Sequence, residues 1–250
     1  MLKLLCTVAG TAVGIALPTG VSAADPFTLR STVNRTALIE LFTSEGCSSC
    51  PPAERWVNSL TNNSGLWRDF VPVVFHVDYW DGLGWPDRFA SGRNTLRQHG
   101  YAASWKSESV YTPAFVLSGT EWRSLLGNRS TPKVGTEVGV LELKQSSTNH
   151  FSVRFTPAAN LKGPFEATVA WIGGNLLTRV QRGENAGRAL EHNFVALDWA
   201  TLPLRGDAVA EGNVQIRQPM GADARKLGLA VWVTRSGSPV PLQAAGGWMP

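Results

Sequence analysis

The chain has 250 residues, of which 43% are hydrophobic and 17% charged, and its formal net charge is +4. This composition predicts a packed core, in one large domain or two small ones, and excludes an intrinsically disordered chain. The positive charge is spread along the sequence without a Lys/Arg run, so the charge pattern indicates neither a nucleic acid nor an anionic membrane as a partner.

The first segment has the pattern of an export signal. Lys3 precedes an uncharged, mostly apolar run from Leu4 to Leu17, and small residues follow at Val21 and Ala23. The run is too short to span a bilayer, and Val21-x-Ala23 fits a signal-peptidase site. We therefore expect removal of residues 1–23, an exported mature protein and no stable membrane insertion. An uncleaved anchor is the alternative.

Removal of that segment takes Cys6 away and leaves Cys47 and Cys50 as the cysteines of the mature protein. An isolated pair in an exported protein is oxidised by default, so we expect a disulfide. So small a loop constrains little of the unfolded chain, and stability alone is a weak reason for the pair.

The residues around the pair predict a strand, a helix and a second strand. Thr36–Phe42 is β-type, residues 50–62 have an apolar face with helical spacing, and Val71–Val77 is an apolar, β-branched run. Pro51 and Pro52 fit only in the first turn of the helix. The order is a βαβ unit with the cysteines at the helix N-terminus.

Further along, a helix is predicted from Pro86 to Gly100, and Thr112-Pro113 precedes the β-type run Ala114–Leu117. The turn-rich segment GNRSTP, residues 127–132, indicates a boundary, and residues 134–143 fit either a helix or a strand. Short alternating runs follow, which predict a β-sandwich or a large β-extension. We therefore predict one domain at residues 30–146 and a β-rich, sandwich-like region at 147–250.

Four segments together carry a family resemblance: ELFTSEGCSSCPPAE, HVDYWDGLGWPDRFA, YTPAFVLSG and RGENAGRALEHNFV. They resemble exported bacterial proteins of the thioredoxin superfamily that are catalogued as a domain of unknown function, DUF1223. The resemblance covers about residues 35–235. It implies an α/β, thioredoxin-like fold over residues 30–146, a redox-type site and a location in the bacterial periplasm or outside the cell. It implies no substrate.

The predicted site centres on the two cysteines. A helix N-terminus favours a thiolate, so we expect Cys47 to be accessible and to attack, and Cys50 to be more buried and to resolve. Ser48 and Ser49 are expected to donate hydrogen bonds to the thiolate. Thr112 and Pro113 are expected to hold a substrate backbone beside the pair, as in thioredoxin-like folds.

Three further residues have weaker assignments. Glu40, on the strand before the pair, is a candidate to relay the proton of Cys50, and the alternative is an exposed or edge glutamate. Trp80 and Trp85 are candidates to line a substrate groove, and core packing is the alternative.

The histidines do not indicate a zinc site. His76, His99, His150 and His192 are scattered, without the close pairing that structural zinc sites use. His76 is interpreted as a hydrogen-bonded core residue. Segment 183–188, GENAGR, is interpreted as a hairpin loop, with a polar site at Glu184 and His192 as the alternative. We predict no metal and no cofactor.

The sequence thus predicts an exported thiol–disulfide oxidoreductase that acts on protein thiols or disulfides, or on a redox partner protein. One alternative is a non-catalytic binding module, including a copper(I) carrier that uses the cysteines with His76 or another histidine. Another is a chain whose C-terminal β-region binds partners while the cysteines only maintain it.

Overall fold

The computed structural model describes residues 27–123, 130–133, 135–219 and 224–250. The predicted export signal, residues 1–23, lies outside the described residues, and so do residues 127–129 of the predicted boundary and residue 134. Across the described ranges, none of the helices has the length and apolar character needed to cross a bilayer.

These residues form fourteen β-strands and two α-helices. The strands are β1 (Thr28–Arg30), β2 (Ala37–Thr43), β3 (Phe70–His76), β4 (Ala114–Leu117), β5 (Thr120–Glu121), β6 (Gly139–Ser147), β7 (His150–Pro157), β8 (Phe165–Gly174), β9 (Leu176–Arg179), β10 (Ala189–His192), β11 (Val195–Leu204), β12 (Ala210–Gln215), β13 (Lys226–Arg235) and β14 (Pro241–Trp248). The helices are α1 (Pro51–Ser59) and α2 (Gly92–Ser104), with short 3-10 turns at Leu60–Asn62 and Asp81–Leu83.

The fold is mostly β, with 45% strand and 13% helix. The prediction of an α/β, thioredoxin-like fold with a sandwich-like extension is therefore wrong. The strands after residue 147 are divided among the sheets. β8, β11, β13 and β14 continue the sheet that contains β2 and β3, whereas β7 and β12 lie in another sheet with β1 and β6.

That large sheet has eight strands in the order β14-β13-β8-β11-β3-β2-β4-β5. β2 and β3 are parallel, β3 and β11 are parallel, and the remaining neighbours are antiparallel. One sheet thus contains strands from both predicted segments, 30–146 and 147–250, and the division between them stays a prediction.

A second sheet packs against this one. It has the order β1-β6-β7-β12, and its apolar side chains form a core with those of β8, β13 and β14. Phe155 on β7 and Phe165 on β8 meet edge to face across this core. The ambiguous run 134–143 thus contains the start of strand β6. β9 and β10 form a separate two-stranded hairpin.

The local βαβ prediction is confirmed, because β2, α1 and β3 follow one another and the two strands pair in parallel. α1 begins at Pro51 with prolines in its first two positions, where an amide donor has no intrahelical partner to lose. The second helix begins later than predicted, at Gly92 rather than Pro86. Ser91 caps it by accepting a hydrogen bond from the backbone N–H of Asn94.

Alternation along β2 decides which side chains meet which helix, because successive residues of a strand point to opposite faces. Thr43 bonds to Glu54 on α1, whereas Glu40 and Phe42 both contact Tyr101 on α2. The odd-numbered residues of β2 therefore face α1 and the cysteines, and the even-numbered residues face α2.

Candidate functional site

Cys47 and Cys50 form a disulfide, with their Cα atoms 5.4 Å apart. Cys50 is the N-cap residue of α1, and its backbone N–H donates to the carbonyl of Cys47. Both cysteines have 0% exposure. The expectation that Cys47 is accessible is therefore wrong for this structure, since neighbouring segments cover it as well as Cys50.

The two serines between the cysteines are exposed, unlike the cysteines themselves. The hydroxyl of Ser49 lies 3.3 Å from the sulfur of Cys47. The backbone N–H of Ser48 donates to the exposed carboxylate of Glu184. Ser49 is thus the serine with a described contact to sulfur, whereas Ser48 anchors a distant loop.

That loop, residues 180–188, joins β9 to β10 and lies over the cysteines. Its Asn185 is fully buried, and its side-chain amide donates to the carbonyls of Glu45 and Cys47 at 2.8 and 2.9 Å. The hairpin interpretation of segment 183–188 is confirmed. We call the segment that contains the cysteines, residues 44–50, the cysteine loop. Asn185 and Cys47 are 138 residues apart in the sequence, and no local pattern indicates that they are in contact.

The two candidate groove residues, Trp80 and Trp85, are half-buried and contact residues just before Cys47. Trp80 packs so closely on Gly46 that a Cβ there would lie 3.1 Å from its own Cβ, and its indole N–H donates to the hydroxyl of Thr112. Trp85 donates to the carboxylate of Glu45. The peptide bond between Thr112 and Pro113 is cis. Trp80 therefore links the Thr112-Pro113 segment to the residue before Cys47.

Glu40 is fully buried, and it lies on the other face of the sheet. Its carboxylate bonds to the guanidinium of Arg97, 2.6 Å away, and to the hydroxyl of Tyr101. This placement does not bring Glu40 to Cys50, because strand alternation directs its side chain towards α2. The structure instead places a different carboxylate, that of Glu54, on the helix that Cys50 caps.

Glu54 belongs to a buried cluster of five ionisable side chains behind the cysteine loop. The members are Glu45, Glu54, His76, Asp87 and His192, and each is at most 6% exposed. His192 Nδ1 lies 2.5 Å from Glu54, and His76 Nδ1 lies 2.6 Å from Asp87. His192 Nε2 lies 3.2 Å from Glu45 Oε1, in an ion pair whose geometry falls short of a hydrogen bond. We call this set the buried polar cluster.

Electrostatic pairing outweighs burial in setting the pKa values of Glu54, His76, Asp87 and His192. Burial alone would raise the pKa of Glu54, but the charge and hydrogen bond of His192 bring the pKa below its ordinary value. Burial alone would lower the pKa of His192, but the carboxylates of Glu54 and Glu45 raise that pKa to about 10. In the same way the pKa of His76 is raised by Asp87, and that of Asp87 is lowered by His76. At neutral pH, Glu54 and His192 are therefore both charged.

The sequence predicted part of this cluster. His76 is indeed a buried, hydrogen-bonded histidine, and its partner is Asp87. The roles of Glu45 and Glu54 were missed, and so was the partnership of His192. The available signals were an acidic residue next to the cysteine motif and a histidine within the GENAGRALEHNFV segment. Neither signal indicates that the two meet.

Comparison with known proteins assigns the family. Residues 38–234 match the family described as "Protein of unknown function (DUF1223)", and the chain belongs to this family. No curated protein matches it.

Two solved structures share the fold. A crystal structure of a protein from Agrobacterium tumefaciens has 24% sequence identity and a TM-score of 0.61, covering 88% of this chain and 96% of that one. The structure of HBP35 of Porphyromonas gingivalis has 14% identity and a TM-score of 0.60, covering 87% of this chain and 76% of that one. At these identities the likeness concerns the fold alone.

Proposed function

We propose that this chain is an exported thiol–disulfide oxidoreductase whose Cys47–Cys50 pair exchanges disulfides with protein clients or a redox partner protein. The observation that carries the proposal is a disulfide between cysteines with two residues between them, the second of which occupies the N-cap position of α1. Disulfides that close so small a loop contribute little through chain entropy, so reactivity is the better account of the pair.

The surroundings favour a reduced state with a thiolate at Cys47. The positive end of the α1 dipole lies beside the pair and stabilises a negative charge. Pro51 and Pro52 carry no N–H and donate nothing to it, so the nearby hydroxyl of Ser49 is the local donor. The positive end of the helix and this hydroxyl would together stabilise a thiolate at Cys47 in the reduced form.

The proposed exchange proceeds through a mixed disulfide. A client thiolate attacks the sulfur of Cys47, the Cys47–Cys50 bond breaks, and Cys50 leaves as a thiolate that takes up a proton. A second client thiolate then attacks the client sulfur and releases Cys47. Two electrons pass from the client dithiol to the pair, and the client gains a disulfide. The reverse sequence reduces a client, and the relative reduction potentials set the direction.

Exchange requires access to sulfur atoms that are buried in this structure. The exposed serines mark the side from which a client approaches, and the β9–β10 loop lies on that side through Asn185 and Glu184. The proposal therefore includes displacement of this loop when a client binds. Trp80, which links Gly46 to Thr112, is the proposed contact for the client backbone near Thr112 and Pro113.

The test is trapping with a defined partner. Cys50→Ser leaves Cys47 without its resolving thiol, and it should form a stable mixed disulfide with a peptide that carries one activated disulfide, detected by intact mass. Cys47→Ser is the matched control and should react far more slowly. Equal rates for the two variants, or no adduct with either, would reject the assignment of Cys47 as the attacking thiol.

Export is tested separately. We propose that residues 1–23 direct export and are removed, because the apolar run ends in a signal-peptidase pattern. The protein isolated from the periplasm or medium of an expressing bacterium should begin at Ala24 when its N-terminus is sequenced. A chain that retains residues 1–23 and stays with the membrane fraction would contradict this.

A further inference from the structure

The buried polar cluster has a feature that its ion pairs do not account for. Each of its imidazoles uses Nδ1 to bond a carboxylate, His76 to Asp87 and His192 to Glu54. The other nitrogen of each ring, Nε2, has no hydrogen-bond partner among the described residues, and neither has Glu45 Oε1. These three atoms are fully buried. His192 Nε2 and Glu45 Oε1 face each other at 3.2 Å in an ion pair, which leaves His76 Nε2 without a partner among the described residues. Buried polar groups are normally paired, so His76 Nε2 calls for a ligand.

Three members of the buried polar cluster offer ligand atoms that are close to one another. Glu54, His76 and His192 each offer a ligand atom, and these atoms all lie within 4.8 Å of one another. Glu45 Oε1 is 3.2 Å from His192 Nε2. The two imidazole rings are 5.1 Å apart, and Phe89 packs against both. Two imidazoles and two carboxylates therefore converge in an apolar surround.

The hydrogen bond at Nδ1 of His76 matches what a bound metal requires. A histidine that binds a metal through one nitrogen usually donates its other N–H to a carboxylate or carbonyl, which fixes the ring. Asp87 provides this to His76 and is itself held by the backbone N–H groups of Glu45 and Phe89. A divalent cation would take the place of imidazole protons beside the three carboxylates, so its binding would release protons.

We propose that Glu54, His76 and His192, with Glu45 beside them, bind one divalent transition-metal ion of the Zn²⁺ class. Imidazole and carboxylate are the donor types that Zn²⁺ takes in sites with two histidines and one glutamate. No cysteine sulfur is required. The proposal therefore goes beyond the exchange function and stands or falls independently of it.

The experiment uses the full chain with its disulfide intact, stripped with a chelator and titrated with Zn²⁺ by calorimetry. One equivalent should bind. His76→Gln and His192→Gln should each weaken binding at least tenfold, and Asp87→Asn should weaken it about 10–100-fold through the loss of ring orientation. His99→Gln and His150→Gln replace exposed histidines outside the cluster and should leave the affinity unchanged.

Two further measurements keep the result interpretable. X-ray absorption of the wild-type Zn²⁺ complex needs no substitution and should show nitrogen and oxygen ligands without sulfur. The Cys47→Ser/Cys50→Ser double variant, which cannot exchange disulfides, should still bind one equivalent. Absence of binding, sulfur ligation, or binding that survives both histidine substitutions would overturn the proposal and leave the proposed redox function untouched.

Discussion

Glu40 and Glu54 are buried carboxylates close to the cysteines in sequence, and they lie on opposite sides of β2. Glu40 bonds to Arg97 and Tyr101 on the α2 side, and Glu54 bonds to Thr43 and His192 on the α1 side. A shift of one residue in β2 would turn Glu40 to the α1 side, because side chains alternate between faces. Closeness in sequence therefore does not show which carboxylate lies on the α1 side.

Glu40→Ala should destabilise the fold. This change leaves the Arg97 guanidinium buried without its carboxylate, and breaking such a pair costs about 3–5 kcal/mol of unfolding free energy. The rate of disulfide exchange should stay unchanged, because Glu40 faces away from Cys50. Urea denaturation and exchange kinetics measure the two effects.

Glu211→Ala is the control for this loss of stability. It breaks a pair with Arg154 in which both side chains are more than half exposed, at 53% and 57%. Exposed pairs contribute about 0–1 kcal/mol, so this change should be nearly silent. A slower exchange rate in Glu40→Ala would restore the relay role that the structure does not support.

We expect the free energy of unfolding to depend on pH through His192. Its pKa is about 10 in the folded protein, against an ordinary value of 6.5. The folded state holds this proton more tightly, so the stabilisation is complete below pH 6.5 and is lost as pH rises towards 10. On the acid side, the lowered pKa of Glu54 makes its contribution complete above its ordinary value of 4.5 and lost as pH falls below that value.

The unfolding free energy of chelator-treated protein should therefore fall between pH 6.5 and 10, the ordinary and shifted pKa values of His192. In His192→Gln this alkaline decline should be much shallower, and the variant should be less stable at pH 6. Urea titrations across the pH range provide the comparison. Parallel curves for the two proteins would show that His192 is not the group responsible.

At the level of single elements, the β9–β10 hairpin covers the cysteine pair. Its strands form a separate two-stranded sheet, so the hairpin is joined to the rest of the molecule largely through side-chain contacts. His192 at the end of β10 is held by Glu54 and Glu45, whereas Asn185 in the loop bonds to two carbonyls of the cysteine loop. A loop held in this way opens at lower cost than a strand inside a sheet.

Asn185→Ala should therefore expose the disulfide. Two hydrogen bonds of about 1 kcal/mol each are lost from the closed form, so reduction by dithiothreitol should accelerate about 30-fold. Asn149→Ala, which removes the acceptor of the backbone N–H of Gln218 at the end of the other sheet, should leave the rate unchanged. Mass spectrometry after thiol alkylation follows the reaction. An unchanged rate in Asn185→Ala would mean that the hairpin does not control access.

The helices show how tertiary contacts move an element boundary. Proline favours a helix start, which is why the sequence places the second helix at Pro86. In the structure Asp87 instead binds His76 and two backbone amides, and this holds residues 87–89 out of a helix. The helix starts after Ser91, the next residue able to cap it. α1 has no such competitor and begins where the prolines predict.

At the scale of the whole molecule, Gln243 on β14 joins the two large sheets. Its side-chain amide is fully buried and donates to the carbonyls of Thr32, Asn34 and Gly139. Its oxygen accepts from the backbone N–H of Thr36. One side chain thus satisfies backbone groups that flank β1, β2 and β6.

Gln243→Leu should be strongly destabilising, because it leaves several buried backbone groups unpaired at a cost of about 1–3 kcal/mol each. We expect a loss of at least about 2 kcal/mol of unfolding free energy in urea denaturation. Gln215→Leu changes the same residue type at an exposed position of β12 and should shift stability by about 0.5 kcal/mol or less. A loss of similar size in both variants would contradict the linking role of Gln243.

Local patterns in the sequence were enough to predict the elements around the cysteines: strand β2, the proline-led helix α1, strand β3 and the strand after Pro113. These follow from periodicity and from the restrictions that proline places on the backbone, which act over a few residues. The sequence also indicated a pair of cysteines at a helix N-terminus and many short strands in the second half of the chain.

Three features became visible only in the folded molecule. Later strands extend the first sheet, the β9–β10 loop covers the disulfide, and the members of the buried polar cluster come together. Glu54 and His192 are 138 residues apart, and Gln243 bonds to residues more than 200 positions away. Pairing between distant strand edges and between buried charges depends on which surfaces meet when the chain packs. Patterns among neighbouring residues do not predict which surfaces these are. The fold class was mistaken for this reason, whereas the local motif was predicted correctly.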